Sequence, residues 1–220
     1  MFCSVTHTSA SLCFQKINFI KYLHLYYTKN EIKTKPPKIW IIGSSYINHG
    51  EKAALQNFGE NFGLTAKVEW FGQEGMRWSG ILPRLYEELS RQSPPNVLVV
   101  HAGGNDLGWV AAEDLVFKMQ QELRHLHEEF PAMKLVYSCI NERKVWRTGW
   151  PRNINKDRKV VNSHMRKALH SLGGEVIEHP HLHFYSKTNY LPDGVNFTEE
   201  GNEIFLSSIR RVLRRLLGTR

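Results

Sequence analysis

Four short blocks of the chain hold residues whose types could do chemistry together: Gly43-Ser44-Ser45, Gly72-Gln73-Glu74-Gly75, His101-Ala102-Gly103-Gly104-Asn105-Asp106 and Pro192-Asp193-Gly194-Val195-Asn196-Phe197-Thr198. A serine on a tight glycine turn can present its hydroxyl as a nucleophile. Backbone N–H groups at Ser45 and Gly75, with the side-chain amide of Asn105, are donors of the kind that stabilise the oxyanion of acyl transfer. A proton acceptor for the serine is missing from this set. Taken singly, each block also has a plainer meaning, and Gly-Ser-Ser is equally a turn followed by a helix cap.

These blocks need elements that bring them to one place. Short apolar runs at 39–42, 67–71, 97–100, 134–138 and 175–178 are rich in Val, Ile and aromatic residues and are bounded by Gly, Pro or Asn, so they predict strands. Helical periodicity lies between them. The clearest case is 112–130, where Leu115, Met119, Leu123, Leu126 and Phe130 recur every three or four residues until Pro131 stops the helix. Further helices are expected near 49–62, 80–91, 155–172 and 198–217, the last capped by Thr198. Five strands alternating with five helices imply right-handed crossovers, hence an α/β three-layer fold with a five-stranded parallel sheet. Ligands in such folds collect beyond the C-terminal ends of the strands, where the first three blocks fall.

The formal net charge of +8 raises nucleic acid as a partner, but its distribution narrows that idea. Residues 1–38 carry +5, 39–209 carry −2 and 210–220 carry +5. Residues 1–37 are aperiodic and end in Pro36-Pro37, and they read as a disordered basic tail before a domain at 38–217. Arg210, Arg211, Arg214 and Arg215 share one face of the closing helix, where its C-terminal dipole favours cations. Lys16, Lys21 and His24 interrupt the most apolar N-terminal stretch, so no membrane span is expected, and no secretory signal is read. Cys3, Cys13 and Cys139 have no metal or disulfide spacing, which fits an intracellular, cytoplasmic setting.

The order Gly-x-Ser, a second-block Gly, Gly-x-Asn-Asp after the third strand, and an Asp-x-x-His-like element before the last helix resembles the SGNH hydrolases, the GDSL-type esterases and lipases. The resemblance covers about residues 38–217. Trp70-Phe71-Gly72, Gly75-Met76-Arg77-Trp78-Ser79-Gly80, Ser138-Cys139-Ile140-Asn141-Glu142-Arg143 and Leu191-Pro192-Asp193-Gly194-Val195 also resemble the esterase-like domains of vertebrate LINE-type retroelements. The resemblance implies Ser45 as nucleophile, Ser45, Gly75 and Asn105 as the oxyanion hole, and Asp193 as the orienter of a catalytic histidine three residues later. That position is Asn196. It implies carboxyl-ester substrates and no cofactor.

Two positions depart from the family pattern. Ser44 stands where an acidic residue is usual, a change near the turn that does not touch the chemistry. Asn196 is different in kind, because a carboxamide has no basic nitrogen. The domain is therefore expected to be an impaired or inactive esterase, or a non-catalytic binding module for an acyl ligand or single-stranded nucleic acid. His101, His179, His181 and His183 are alternative bases by proximity in sequence. His181 and His183 alternate like metal ligands but lack a third, so no metal is expected. Residues 143–167 are basic and hold Trp146 and Trp150. Trp146, Arg147 and Trp150 could stack and pair with a nucleic acid or clamp an anionic substrate, or else pack as an ordinary surface loop.

Overall fold

Ile39, Trp40, Ile41 and Ile42 are all fully buried, the signature of a strand covered on both faces. They lie in β1 (Lys38–Gly43), which pairs in parallel with β2 (Lys67–Gly72) on one side and β3 (Val97–His101) on the other; β4 (Lys134–Ser138) and β5 (Glu175–Ile177) complete the sheet in the order β2-β1-β3-β4-β5. The structure, a computed structural model, describes residues 35–218. The tail expectation for 1–37, and Cys3 and Cys13 with it, falls almost wholly outside the described residues.

Alternation along the strands sorts the core into two layers. Trp40, Ile42, Leu98, Val100 and Leu135 pack with α2 (Ile81–Leu89), α3 (Ala112–Glu129) and α4 (Pro151–Ser171). Ile39, Ile41, Val97, Val99 and Val136 pack with α1 (Ser45–Phe58) and α5 (Glu199–Leu216). This is the three-layer α/β arrangement expected from the alternation of elements. The connection from β1 leads outward to β2 and the next returns past it to β3, so the direction of winding changes between β1 and β3. That crevice is where a doubly wound sheet offers a site.

Boundaries differ from expectation where polar sequence hides a helix start. The first helix begins at Ser45 rather than near residue 49, and it stops at Phe58. A 3-10 turn (Glu60–Gly63) follows, with Asn61 and Phe62 at positive φ. The fourth helix begins at Pro151, a proline placed where its missing N–H costs nothing. Thr198 caps α5 as expected, its hydroxyl accepting from the Gly201 N–H at 3.1 Å. Among the described residues, no helix is long and apolar enough to cross a membrane.

Candidate active site

The carboxyl ends of β1 and β3 are level, with Gly43 paired to His101. The chain turns there so closely that a Cβ on Gly43 would sit 2.3 Å from the His101 carbonyl oxygen, and only glycine is accommodated. The Ser44 N–H donates to that same oxygen at 3.1 Å. Ser44 is buried at the N-cap of α1, but its hydroxyl makes no capping bond. Ser45 is the first residue of the helix and half-buried. Its hydroxyl makes no hydrogen bond to any described residue, and its N–H is also unused. A helix N-terminus with free N–H groups is electropositive, which suits a developing anion.

The second block reaches the same crevice through a turn. Gly75 takes φ +67°, and the Met76 N–H donates to the Gln73 carbonyl at 3.2 Å. Two bonds tie this turn to the loop after β3: Asn105 Nδ2 donates to the Met76 carbonyl at 3.0 Å, and the Trp78 N–H donates to Asp106 Oδ2 at 2.8 Å. Burial raises the Asp106 carboxyl above its ordinary range, although the Trp78 bond, then Arg77 and Lys118, pull the other way. Asp106 therefore braces the 3-10 turn Trp78–Gly80 that carries the chain on from the Gly75 turn. Its adjacency to Asn105 was the only signal in the sequence.

The fourth block closes on the first. The Tyr46 hydroxyl donates to the Val195 carbonyl at 2.7 Å, and the Tyr46 and Phe197 rings lie 4.6 Å apart. Asp193 Oδ1 accepts from the backbone N–H of Val195 (2.8 Å) and of Asn196 (2.9 Å), while Asp193 Oδ2 accepts from Asn196 Nδ2 at 2.7 Å. Slight burial pushes the Asp193 carboxyl up, but these three hydrogen bonds outweigh it and hold the group below its ordinary range. Two of the three bonds come from Asn196, three residues on.

Arg143 is the group that sequence reasoning failed to single out. It is 5% exposed, and its guanidinium lies between the Tyr46 and Trp146 rings, 5.2 Å from each centroid. Arg143 Nη1 donates to Asn105 Oδ1 at 3.1 Å. The Asn105 amide is thus held at both ends, oxygen on Arg143 and nitrogen on the Met76 carbonyl. Burial raises the Tyr46 phenol above its ordinary range, and the charge of Arg143 offsets part of that rise.

None of the four histidines considered as substitute bases hydrogen-bonds to Ser45. His101 is 3% exposed, its Nδ1 2.9 Å from Ser138 Oγ, which lies 2.8 Å from His179 Nε2. Burial, reinforced by the charge of Arg143 and opposed by Ser138, lowers the His101 pKa to about 3. His179 is pushed well below its ordinary value by burial, then by His101 and Arg211. His183 stacks on Tyr185 at 4.9 Å, and His181 is exposed. Among the described residues there is no group of three His, Cys, Asp or Glu that could hold a metal ion.

The basic insertion is less of a surface than its composition suggests. Trp146 is 7% exposed, so it is a packing residue under Arg143 and not a ring on which a base could stack. Arg158 is buried and pairs with Glu142 at 3.0 Å, and Arg166 donates to Glu178 at 2.8 Å. Trp150 is 79% exposed, and Arg147 is also exposed. Cys139 is a buried free thiol whose pKa burial pushes up to about 12.

No protein-family profile matches the chain, and no curated protein matches it in sequence. Solved structures do match in fold. A psychrotrophic esterase from Pseudoalteromonas sp., in a form inhibited by monoethylphosphonate, superimposes with a TM-score of 0.66 at 11% identity, over 83% of this chain and 100% of that one. A GDSL-like lipase from Bacteroides thetaiotaomicron gives 0.62 at 16% identity, over 88% and 97%. A member of the lipolytic G-D-S-L family from Veillonella parvula gives 0.62 at 12% identity, over 81% and 98%. At such identities the likeness establishes the fold, the α/β arrangement of GDSL-like lipases and esterases.

Proposed function

We propose that the chain is an SGNH-type ester-hydrolase domain that retains the nucleophile and oxyanion donors for a carboxyl ester but lacks the base, so that it binds acyl ligands and scarcely turns them over. In such chemistry Ser45 Oγ would attack the ester carbonyl carbon while the carbonyl oxygen takes on negative charge beside the N–H groups of Ser45 and Gly75 and the Asn105 amide. The serine proton must leave at the same time, and the departing alcohol must receive one. A histidine performs both transfers. Asn196 can perform neither, because its amide nitrogen carries no available lone pair.

The observation that carries this reading is the 2.7 Å bond from Asn196 Nδ2 to Asp193 Oδ2. The asparagine sits on the carboxylate as an orienting partner would require of a histidine, yet it brings no basic nitrogen. Loss of the base in a serine hydrolase costs on the order of 10⁶ in turnover, or about 8 kcal/mol at 1.36 kcal/mol per decade. The oxyanion donors alone would leave about 10³–10⁴ over water. Hydrolysis of a short p-nitrophenyl ester is the test. The expected rate is roughly 10⁶ below that of a working serine esterase, and Ser45→Ala changes it little. Hydrolysis at ordinary serine-esterase rates that is abolished by Ser45→Ala would overturn this reading.

A second reading, a contact for single-stranded nucleic acid descended from a retroelement esterase domain, is favoured by exposed Trp150 in a stretch where Arg147, Arg152, Lys156 and Lys159 are also exposed. Such binding would weaken with salt and on Trp150→Ala. An oligouridine that fails to bind at low salt removes it.

A further inference from the structure

We infer that a cavity beyond the carboxyl ends of β4 and β5 binds a neutral cyclic polyol, a sugar-sized ring of hydroxyl groups, held by Asn141, Glu142, Arg158 and His179. It is a second site, apart from the ends of β1 and β3 where Ser45 stands, and it does not depend on the esterase function. Its lining comes from the segments that follow β4 and β5 and from α4, and its volume is about 200 Å³. Unpartnered polar groups concentrate there. Among the described residues, eleven buried side-chain nitrogen and oxygen atoms have no hydrogen-bond partner, and five of them belong to four residues lining this cavity: Asn141 Oδ1 and Nδ2, Glu142 Oε2, Arg158 Nε and His179 Nδ1. Asn141 is 3% exposed, and both ends of its carboxamide are unpartnered. The other three side chains are fixed by bonds elsewhere: Glu142 Oε1 accepts from Arg158 Nη2 at 3.0 Å, Arg158 Nη1 donates to the Ile140 carbonyl at 3.2 Å, and His179 Nε2 lies 2.8 Å from Ser138 Oγ. Buried polar groups without partners are costly and few in native folds, so their gathering around one cavity points to a ligand.

The chemistry of the lining selects the ligand. Its charges cancel in pairs, Glu142 with Arg158 and Glu178 with Arg166, and burial keeps His179 neutral, so an ionic ligand finds no counter-charge to spare. What is left over is mixed: acceptors at Asn141 Oδ1 and Glu142 Oε2, donors at Asn141 Nδ2 and Arg158 Nε, and His179 Nδ1 in either role. A hydroxyl both donates and accepts, so neighbouring hydroxyls of one ring can serve the whole set, whereas an acyl chain can serve none of it. Ile140, Pro180 and Leu182 supply aliphatic surface for the C–H faces of such a ring, and the described lining holds no Trp, Tyr or Phe on which a nucleobase would stack. At about 30 Å³ per water molecule, the cavity matches roughly six or seven waters, room for one ring and not for a chain of them.

The test is calorimetric titration of the full chain at pH 7 with D-glucose, methyl α-D-glucoside and myo-inositol, beside cyclohexanol, a ring with one hydroxyl, and uracil, a planar cyclic amide. At least one polyol is expected to bind at least about 10-fold more tightly than cyclohexanol and uracil, the scale of one or two added hydrogen bonds. Tighter binding of the methyl glucoside than of glucose supports the site and assigns it the end of a glycan, and the reverse order supports it and assigns it a free sugar. Asn141→Leu should abolish polyol binding. Because Asn141 gives up no side-chain hydrogen bond within the protein, the urea midpoint of that variant should equal or exceed that of the unaltered chain. Asn141→Ala, which adds no bulk, decides the matter if Asn141→Leu fails to fold. Absence of polyol binding, cyclohexanol or uracil bound as tightly as the polyols, or binding that survives both substitutions would each overturn the inference. A urea midpoint lowered in both variants would also overturn it, since Asn141 would then be a structural group bonded to ordered water.

Discussion

Lowering the pH should destabilise this fold well before its carboxylates are protonated, because the buried His101 and the half-buried His179 must remain neutral. His101 has a pKa of about 3 in the folded chain, against about 6.5 when unfolded. Below pH 6.5 the unfolded chain therefore binds a proton that the folded chain refuses, and unfolding free energy falls as pH falls. At pH 5 the gap already traversed is roughly 1.5 units, or about 2 kcal/mol, and if the full interval to pH 3 developed it would approach 5 kcal/mol. His179 shifts in the same direction and steepens the loss. Asp193, whose pKa is lowered, behaves as the usual carboxylate does, and its contribution is lost only as the pH falls below about 4. Urea unfolding followed between pH 7.5 and 4.5 measures the slope. Between pH 6 and 4.5 it should reach at least one proton, about 1.4 kcal/mol per pH unit, and His101→Asn should lower it by about one proton. A stability flat across that interval, or a slope unchanged by His101→Asn, would refute the reasoning.

Asp106→Ala leaves the buried Trp78 N–H without its acceptor and should cost about 1–3 kcal/mol in thermal or urea unfolding, whereas Asp106→Asn, which keeps an acceptor oxygen, should cost much less. The two insertion tryptophans should separate cleanly in the same assay. Trp146→Ala empties a buried site and should cost about 3–5 kcal/mol, while Trp150→Ala should stay within about 0.5 kcal/mol.

The sheet was legible because β1 and β3 are buried on both faces and so read as unbroken apolar runs. The start of α1 was not, since Gly43-Ser44-Ser45 resembles a loop and the hydrophobic spacing continues into Phe62, which belongs to a 3-10 turn. The candidates Ser45, Gly75 and Asn105 stand out because blocks at strand ends are local in sequence, and Asp193 and Asn196 stand out through the family resemblance. Arg143 does not stand out, and nothing in the spacing shows that the candidate Trp146 is buried. Within a basic, aromatic stretch, a buried guanidinium between two rings is indistinguishable from a solvated one, and only the long-range contact to Asn105 tells them apart. The brace from Asp106 to Trp78 is likewise a contact across 28 residues that no spacing rule encodes.

The most direct measurement is the rate of p-nitrophenyl acetate hydrolysis by Asn196→His beside the unaltered chain. With Asp193 already positioned by the backbone of residues 195 and 196, the introduced imidazole should restore proton transfer and raise the rate by several orders of magnitude, out of the roughly 10⁶ at stake. The gain should vanish in the Ser45→Ala double variant. A folded Asn196→His protein that hydrolyses the ester no faster than the unaltered chain would contradict the claim that only the base is missing.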